Sequence, residues 1–408
     1  MNMNAPSVIL RSGLFLVHLI LLPGISRLSA QEAWSPLEAS GSPRFSHHDS
    51  TYDGKNQRMV ICGRSDGNPG KVETWFYLPD GSWQPGPAAA SAFSSPFGND
   101  VEVAFDEGRG VVVMFTSDGI RTETWELNGL AWSLKSPTHG PIAAIDGALM
   151  KFFPPEGKVM LVGAAGFPQR DSPSETWFWD GQDWSRSAAG EPVGAAGGGM
   201  AYDRERGEMV LVSMMSMNTW RFRQGAWVRA SPGTVPSPGV WVFGMVYDSS
   251  TAKTVLFGGE GLTGGQPPEA VYPTDTWIWD GDNWSRSTVA NAPPATIDFA
   301  MSCFPELGGL VMHGGWGEAD GWQPRDSLWK LTLDSGPPPA VENLRLRIEG
   351  AQIVLSWNPV AGAQRYFVRS TADPAKGFTD DLTGNFLGST WRTAVAGRKQ
   401  AFFSVGYE

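Results

Sequence analysis

Six times along residues 31–336, an aromatic residue is followed by a polar turn and then an apolar run. The aromatics are Tyr52, Phe105, Phe153, Tyr202, Tyr247 and Phe304, spaced 45 to 57 residues apart. The segments read YDGKNQRMVIC, FDEGRGVVVMF, FPPEGKVMLVG, YDRERGEMVLV, YDSSTAKTVLF and FPELGGLVMHG. Each is followed by a tryptophan: Trp75, Trp125, Trp177, Trp220, Trp277 and Trp329. In the first five units a second tryptophan comes seven or eight residues later, at Trp83, Trp132, Trp184, Trp227 and Trp284. A fixed period of this length means that one supersecondary unit is copied, and that each copy buries its apolar face against the next.

Each unit reads as four short strands. The aromatic ends the first. The second is a β-branched and apolar run such as Val111-Val112-Val113. The third is ETWFY, ETWEL, ETWFW, NTWRF or DTWIW. Its alternation puts Trp177 and Trp179 on one face and Thr176 and Phe178 on the other. Tight turns follow at Asp80-Gly81, Asn128-Gly129, Asp180-Gly181, Gln224-Gly225 and Asp280-Gly281, where glycine tolerates positive φ. The fourth strand carries the second tryptophan. Six such units predict an all-β, six-bladed β-propeller over residues 31–336.

The sixth unit runs from Trp329 into Lys-Leu-Thr-Leu-Asp-Ser-Gly without a second tryptophan. The missing strand is predicted at the other end of the repeat. Trp34 precedes Asp53 by 19 residues, as Trp184 precedes Asp203. Residues 32–38 are therefore expected to supply the outer strand of the last blade and close the ring, leaving no sheet edge.

The spaced tryptophans and the paired glycines after strand two, Gly258-Gly259 and Gly314-Gly315, resemble the kelch-repeat family and its galactose-oxidase-like branch. Single glycines remain at Gly63 and Gly163. The resemblance implies a propeller that holds ligands at one rim or at its centre. It also raises copper chemistry, which in that family needs two His, two Tyr and a Cys–Tyr crosslink. Beyond the leader, only His47, His48, His139 and His313 are present, with His47 and His48 on opposite faces of one strand. No metal site and no cofactor are expected. The Asp-Gly-x-x-Trp turns resemble sialidase Asp-boxes but lack the intervening residue, so they read as hairpin turns.

Residues 1–30 read as a secretory signal peptide: Arg11, then the apolar SGLFLVHLILL, then small residues ending Leu28-Ser29-Ala30. This implies a secreted, periplasmic or cell-surface protein with no transmembrane span after cleavage. After Gly336-Pro337-Pro338-Pro339, the stretches ENLRLRIEG, QIVLSWNPV, RYFVRST, STWRTAV and QAFFSVGYE resemble a fibronectin type III-like β-sandwich over residues 337–408. Trp357 is expected in its core. The sequence stops at Glu408 before a last strand would fit, so the module reads as incomplete.

The chain has 31 Lys and Arg against 42 Asp and Glu, a net charge of −11. That balance speaks against nonspecific nucleic-acid binding. Tryptophans that recur in every unit belong to the core, so those that break the pattern, Trp241, Trp316 and Trp322, are the informative ones. Trp316 and Trp322 share the blade-six loop GGWGEADGWQPRD with Glu318, Asp320 and Arg325. The blade-five loop brings Glu260, Glu269 and Tyr272, blade three brings Arg170 and Asp171, and blade one brings Arg64, Asp66 and Lys71. All leave the same strand end, so they are expected on one rim, a place where rigid scaffolds concentrate binding residues. Aromatics beside carboxylates and arginine suit a glycan or a peptide. Cys62 and Cys303 read either as a disulfide across the ring closure or as two buried thiols.

The expectation is a noncatalytic binding or adhesion protein for a glycan or protein, with no catalytic residue assigned. The alternative is a carbohydrate-active oxidase, lyase or epimerase, which needs an acid and a base converging on one substrate atom.

Overall fold

The computed structural model describes residues 7–12, 15–20, 32–38, 40–64, 71–90, 100–117, 121–141, 145–165, 173–188, 192, 194–195, 197–265, 268–334, 343–359, 366–371, 379–381, 384–394 and 400–407. Contacts divide the chain into Gln31–Asp334 and a second unit of Met1–Ala30 with Ser335–Glu408.

The larger unit holds six four-stranded antiparallel sheets. Sheet 1 is Ser46–Asp53, Arg58–Arg64, Glu73–Tyr77 and Trp83–Pro85. Sheet 2 is Asp100–Asp106, Val111–Ser117, Thr122–Asn128 and Ala131–Leu134. Sheet 3 is Ile145–Phe153, Lys158–Ala165, Ser174–Trp179 and Trp184–Arg186. Sheet 4 is Gly199–Asp203, Glu208–Val212, Thr219–Arg223 and Ala226–Arg229. Sheet 5 is Gly244–Asp248, Lys253–Phe257, Thr276–Trp279 and Trp284–Arg286. Sheet 6 is Ala300–Phe304, Gly309–His313 and Leu328–Thr332, completed by Ala33–Leu37 from the start of the unit.

The first strand of each sheet touches the first strands of both neighbouring sheets, and sheet 6 returns to sheet 1. This closed cycle is the arrangement of a β-propeller. One apolar cluster fills each gap between sheets. Val60 and Cys62 meet Val103 and Met114 between sheets 1 and 2, for example. Phe257 and Ile278 meet Trp34 and Leu331 between sheets 5 and 6. Ile61 and Tyr77 meet Phe304 and Val311 between sheets 6 and 1. Middle strands are covered on both faces, which is why they read as continuous apolar runs.

In sheets 2 to 5 the second tryptophan locks its sheet to the sheet before it. Its indole N–H donates to the threonine in the third strand of that preceding sheet. The pairs are Trp132 to Thr74 at 2.8 Å, Trp184 to Thr124 at 2.8 Å, Trp227 to Thr176 at 2.8 Å and Trp284 to Thr219 at 2.9 Å. Trp34 makes the equivalent bond to Thr276 at 3.1 Å, so the N-terminal strand fills the sixth slot both in pairing and in packing. The lock between sheets 6 and 1 is different. The threonine slot of sheet 6 holds Leu328, which faces His313 as Thr74 faces Cys62. The buried Trp83 indole N–H accordingly has no hydrogen-bond partner among the described residues.

The turns that end the first strands come in two forms. In sheets 1, 2, 4 and 5 an aspartate caps the turn. Asp106 accepts from the Arg109 amide at 3.0 Å, and Asp203 from the Arg206 amide at 3.0 Å. In sheets 3 and 6 a proline opens a short 3-10 turn, Pro154–Glu156 or Pro305–Leu307, and no aspartate is needed.

This difference corrects the reading of the repeat. Phe153 pairs with Lys158 and Phe304 with Gly309, as Asp53 pairs with Arg58. Phe153 and Phe304 therefore occupy the aspartate slot and are buried. The aromatic slot of those two sheets holds Phe152 and Cys303, one residue earlier. The proline-opened turn thus shifts the aromatic by one position, and a one-residue slip in a strand moves a side chain to the other face.

In the smaller unit, one sheet is ordered Arg345–Glu349, Gln352–Ser356, Thr390–Ala394, Asn385–Leu387. The other contains Tyr366–Thr371, Thr379–Asp380 and Gln400–Tyr407. Both contribute to one core of Leu346, Ile353, Leu355, Trp357, Val368, Trp391 and Phe403. Ser7–Ser12 and Phe15–Ile20, within the segment read as a leader, form a hairpin whose second strand pairs in parallel with Gln400–Tyr407.

Candidate functional site

In an antiparallel sheet, the start of the first strand and the end of the second lie on the same side. The loops singled out in the sequence leave from that side. Gly314 and Gly315, with φ of 70° and 78°, press the sheet 6 loop inward, Gly314 against His48 and Gly315 against residues 296–297. A Cβ on Gly315 would sit 2.5 Å from Thr296 Cγ2, so only glycine fits. Trp316 and Ile297 then exchange backbone bonds of 3.1 and 3.0 Å, and the Trp316 indole donates to Asp298 at 2.9 Å. Trp316 is thus half-buried and anchored.

Glu318–Asp320 form a 3-10 turn, and Gly321 and Trp322 follow with φ of 62° and 61°. A bulky side chain at positive φ is costly and persists only where its surroundings enforce it. The Trp322 amide donates to the Gly317 carbonyl at 3.1 Å, and the residue is left 38% exposed.

The sheet 5 loop makes a small ribbon, ordered Val240–Trp241, Glu260–Leu262, Ala270–Val271. It sets Trp241 opposite Glu260. Tyr272 leaves this ribbon and meets Trp322 edge to face, with centroids 5.0 Å apart. The Tyr272 hydroxyl donates to Glu260 at 3.4 Å. Burial, then the carboxylates Glu260 and Glu318, raise its phenol above the usual tyrosine range. The structure therefore brings Tyr272, Trp322 and Glu260 together, with Glu318 near enough to act on the phenol.

The remaining candidates are placed as follows. Arg325 is buried, and its guanidinium donates to Thr296 Oγ1 at 2.6 Å and the Ala295 carbonyl at 3.2 Å. It holds the loop down and is not presented at the rim. Glu269 is exposed on the far part of the ribbon, its backbone bonded to Thr263. Asp320 lies on the 3-10 turn beside Glu318. Arg170, Asp171 and Asp66 lie outside the described residues. Arg64 is buried.

Two cavities lie along the axis of the ring. The smaller, about 160 Å³, opens on the rim just described and is lined by His48, Glu102 and Asp298 among others. The larger, about 770 Å³, opens on the opposite face, among the turns that end the first strands, and all six sheets line it. Both include Lys151 and Met301 in their walls. Sequence reasoning missed the larger cavity. Its signal was the first-strand aromatic itself, which was treated as a register mark and misplaced by one residue in two units.

His48 and His313 meet where the ring closes. His48 Nε2 lies 3.1 Å from His313 Nδ1, and Ser42 Oγ lies 3.0 Å from His313 Nε2. His313 is buried, and burial together with His48 holds its pKa well below the usual 6.5. Cys62 and Cys303 are free thiols. Cys62 is buried beside Thr74 and is pushed up to about 12, and Cys303 lies 3.6 Å from Ser249. No cluster of His, Cys, Asp and Glu fit for a metal occurs among the described residues.

No protein-family model matches the sequence. No curated protein is similar to it. Among solved structures, the chain is similar to YjhT, with 16% identity over 77% of this chain and 98% of that one and a TM-score of 0.49. A gluconolactonase from Xanthomonas campestris is similar at 15% identity over 81% and 99%, with a TM-score of 0.47. The SapL1 lectin, solved with alpha methyl fucoside, is similar at 12% identity over 72% and 98%, with a TM-score of 0.44. None of these bears on what the chain binds, and the propeller rests on its own strand pairing and packing.

Proposed function

We propose that this chain is an exported, noncatalytic binding protein. In this reading it is a six-bladed kelch-type propeller followed by a fibronectin type III-like module, and residues 1–30 are its export leader. The rim that carries the loops of sheets 5 and 6 recognises a glycan or a protein.

The observation that carries this reading is the Tyr272–Trp322 pair. Two loops from different sheets converge to hold one indole outward in an unfavourable backbone geometry. An exposed indole offers a face to the C–H groups of a sugar ring or to an apolar peptide side chain. The flanking Glu260 and Glu318 are acceptors for hydroxyl or amide groups. The enzymatic alternative asks for an acid and a base aimed at one atom. Asp49 and Lys151, 3.9 Å apart on the axis, come nearest to that, but Asp49 already accepts from the Val103 amide at 3.0 Å.

A glycan-array screen of the purified protein beside Trp322→Ala and Tyr272→Ala variants tests the rim. Specific binding that both variants lose supports it. Binding that survives both changes removes the rim as the site. Absence of glycan binding turns the search to protein partners, with the same two variants as the control.

A further inference from the structure

We propose that the larger axial cavity is a second ligand site, on the face opposite the rim, for a compact ring-bearing monocarboxylate. This does not rest on the rim reading.

The aromatic slot of the six sheets holds Tyr52, Phe105, Phe152, Tyr202, Tyr247 and Cys303, and all six line the cavity. Five aromatic rings and a thiol thus circle one opening of about 770 Å³, the size range of small-molecule sites. These side chains also pack in the gaps between sheets, Phe105 and Tyr247 inside the apolar clusters and Tyr52, Phe152, Tyr202 and Cys303 against them. Their common feature is the central opening.

The charge argument selects the ligand. Among the described residues, the charged side chains lining the cavity are Lys55, Arg109, Lys151, Arg204 and Glu107, four cations against one carboxylate. The chain as a whole carries −11, so this wall is rich in cations for this protein. Three of the cations are already engaged: Arg109 by Asp106 and Glu126, Arg204 by Glu107, and Lys151 by Asp49 at 3.9 Å. Lys55 has no ion-pair partner among the described residues. One unmatched ammonium calls for one anionic group.

The hydroxyls agree. Tyr52 donates to Glu306, and Tyr247 accepts from the Glu205 amide at 3.2 Å. No hydrogen bond of the Tyr202 hydroxyl occurs among the described residues, and burial raises its phenol, so it stays a neutral donor. The site therefore offers ring faces, one ammonium and one phenolic donor. A cyclic carboxylate satisfies all three, whether its ring is a sugar or an arene.

Titration calorimetry at low salt with glucuronate and with phenylacetate tests this and separates the two kinds of ring. The proposal expects saturable binding of at least one, weakened tenfold or more by Lys55→Met and several-fold by Tyr202→Phe. Trp322→Ala, on the other face, is expected to leave it unchanged. Lys55 is exposed, so its replacement by Met spares the fold. The proposal is overturned if neither carboxylate binds, if Lys55→Met binds as well as the parent, or if glucose and phenylacetamide bind as tightly as the acids.

Discussion

The indole N–H of Trp34 donates to the hydroxyl of Thr276 at 3.1 Å, across 242 residues of chain. It is the same bond that Trp132, Trp184, Trp227 and Trp284 make to the preceding sheet. The N-terminal strand thus closes the ring with the lock already used inside it. Closure turns six marginal sheets into one cooperative unit, because each buries both faces only when the ring is complete.

Trp34→Ala is expected to cost about 3–5 kcal/mol, the usual range for removing a buried tryptophan. Thr276→Val should cost about 1–3 kcal/mol, because it strands a buried donor. The pair should couple by about 1 kcal/mol in a double-mutant cycle of urea unfolding. Simple additivity would show that the bond does not hold the closure.

Trp83→Phe and Trp184→Phe remove the same atoms from equivalent slots. Trp184 loses a bond to Thr124, whereas Trp83 has no acceptor to lose, since Leu328 stands in the threonine slot. Trp184→Phe should therefore be the more destabilising by about 1 kcal/mol. Equal losses of unfolding free energy would count against the lock as the reason for the conserved spacing within the repeat.

His313 ties stability to pH. In the folded ring, burial and His48 hold it neutral well below pH 6.5, whereas in the unfolded chain it takes up a proton near 6.5. Between those two values the unfolded state binds more protons, so stability falls as pH falls. The slope approaches about 1.4 kcal/mol per pH unit. His313→Phe, which installs the residue found at the matching positions Phe115 and Phe257, should flatten that slope between about pH 6.5 and 5. Urea midpoints measured across this range decide it. An unchanged slope would place the acid sensitivity elsewhere.

Arg325 and Trp322 are three residues apart and should behave oppositely. Arg325→Met breaks the bonds to Thr296 and Ala295 and should lower stability by about 1–3 kcal/mol. Trp322→Ala removes an exposed indole and leaves the backbone as it is, so it should leave thermal stability within about 0.5 kcal/mol while reducing rim binding. Thermal melts of both variants, run beside the binding assay, test the assignment of one to structure and the other to recognition.

Much of this architecture was legible because it is local and repeated. The Asp-Gly, Asn-Gly and Gln-Gly turns announce themselves: Gly81, Gly129, Gly181, Gly225 and Gly281 all have positive φ. The alternation of Thr176, Trp177, Phe178 and Trp179 assigned each side chain to the correct gap between sheets. The count from Trp34 to Asp53 identified the closing strand. These are properties of spacing, and strand pleat and turn chemistry depend on little else.

Other features depended on what lies next to a residue in space. Nothing in the string GGWGEADGWQPRD separates Trp322, turned outward against Tyr272, from Trp316, tied to Asp298. Arg325 reads as a rim charge until its buried partners are seen. Phe153 and Phe304 look like register marks until a proline-opened turn moves them by one position. The ring of side chains around the larger cavity is the clearest case. Its six members lie 45 or more residues apart in sequence, and only closure of the propeller brings them to one axis.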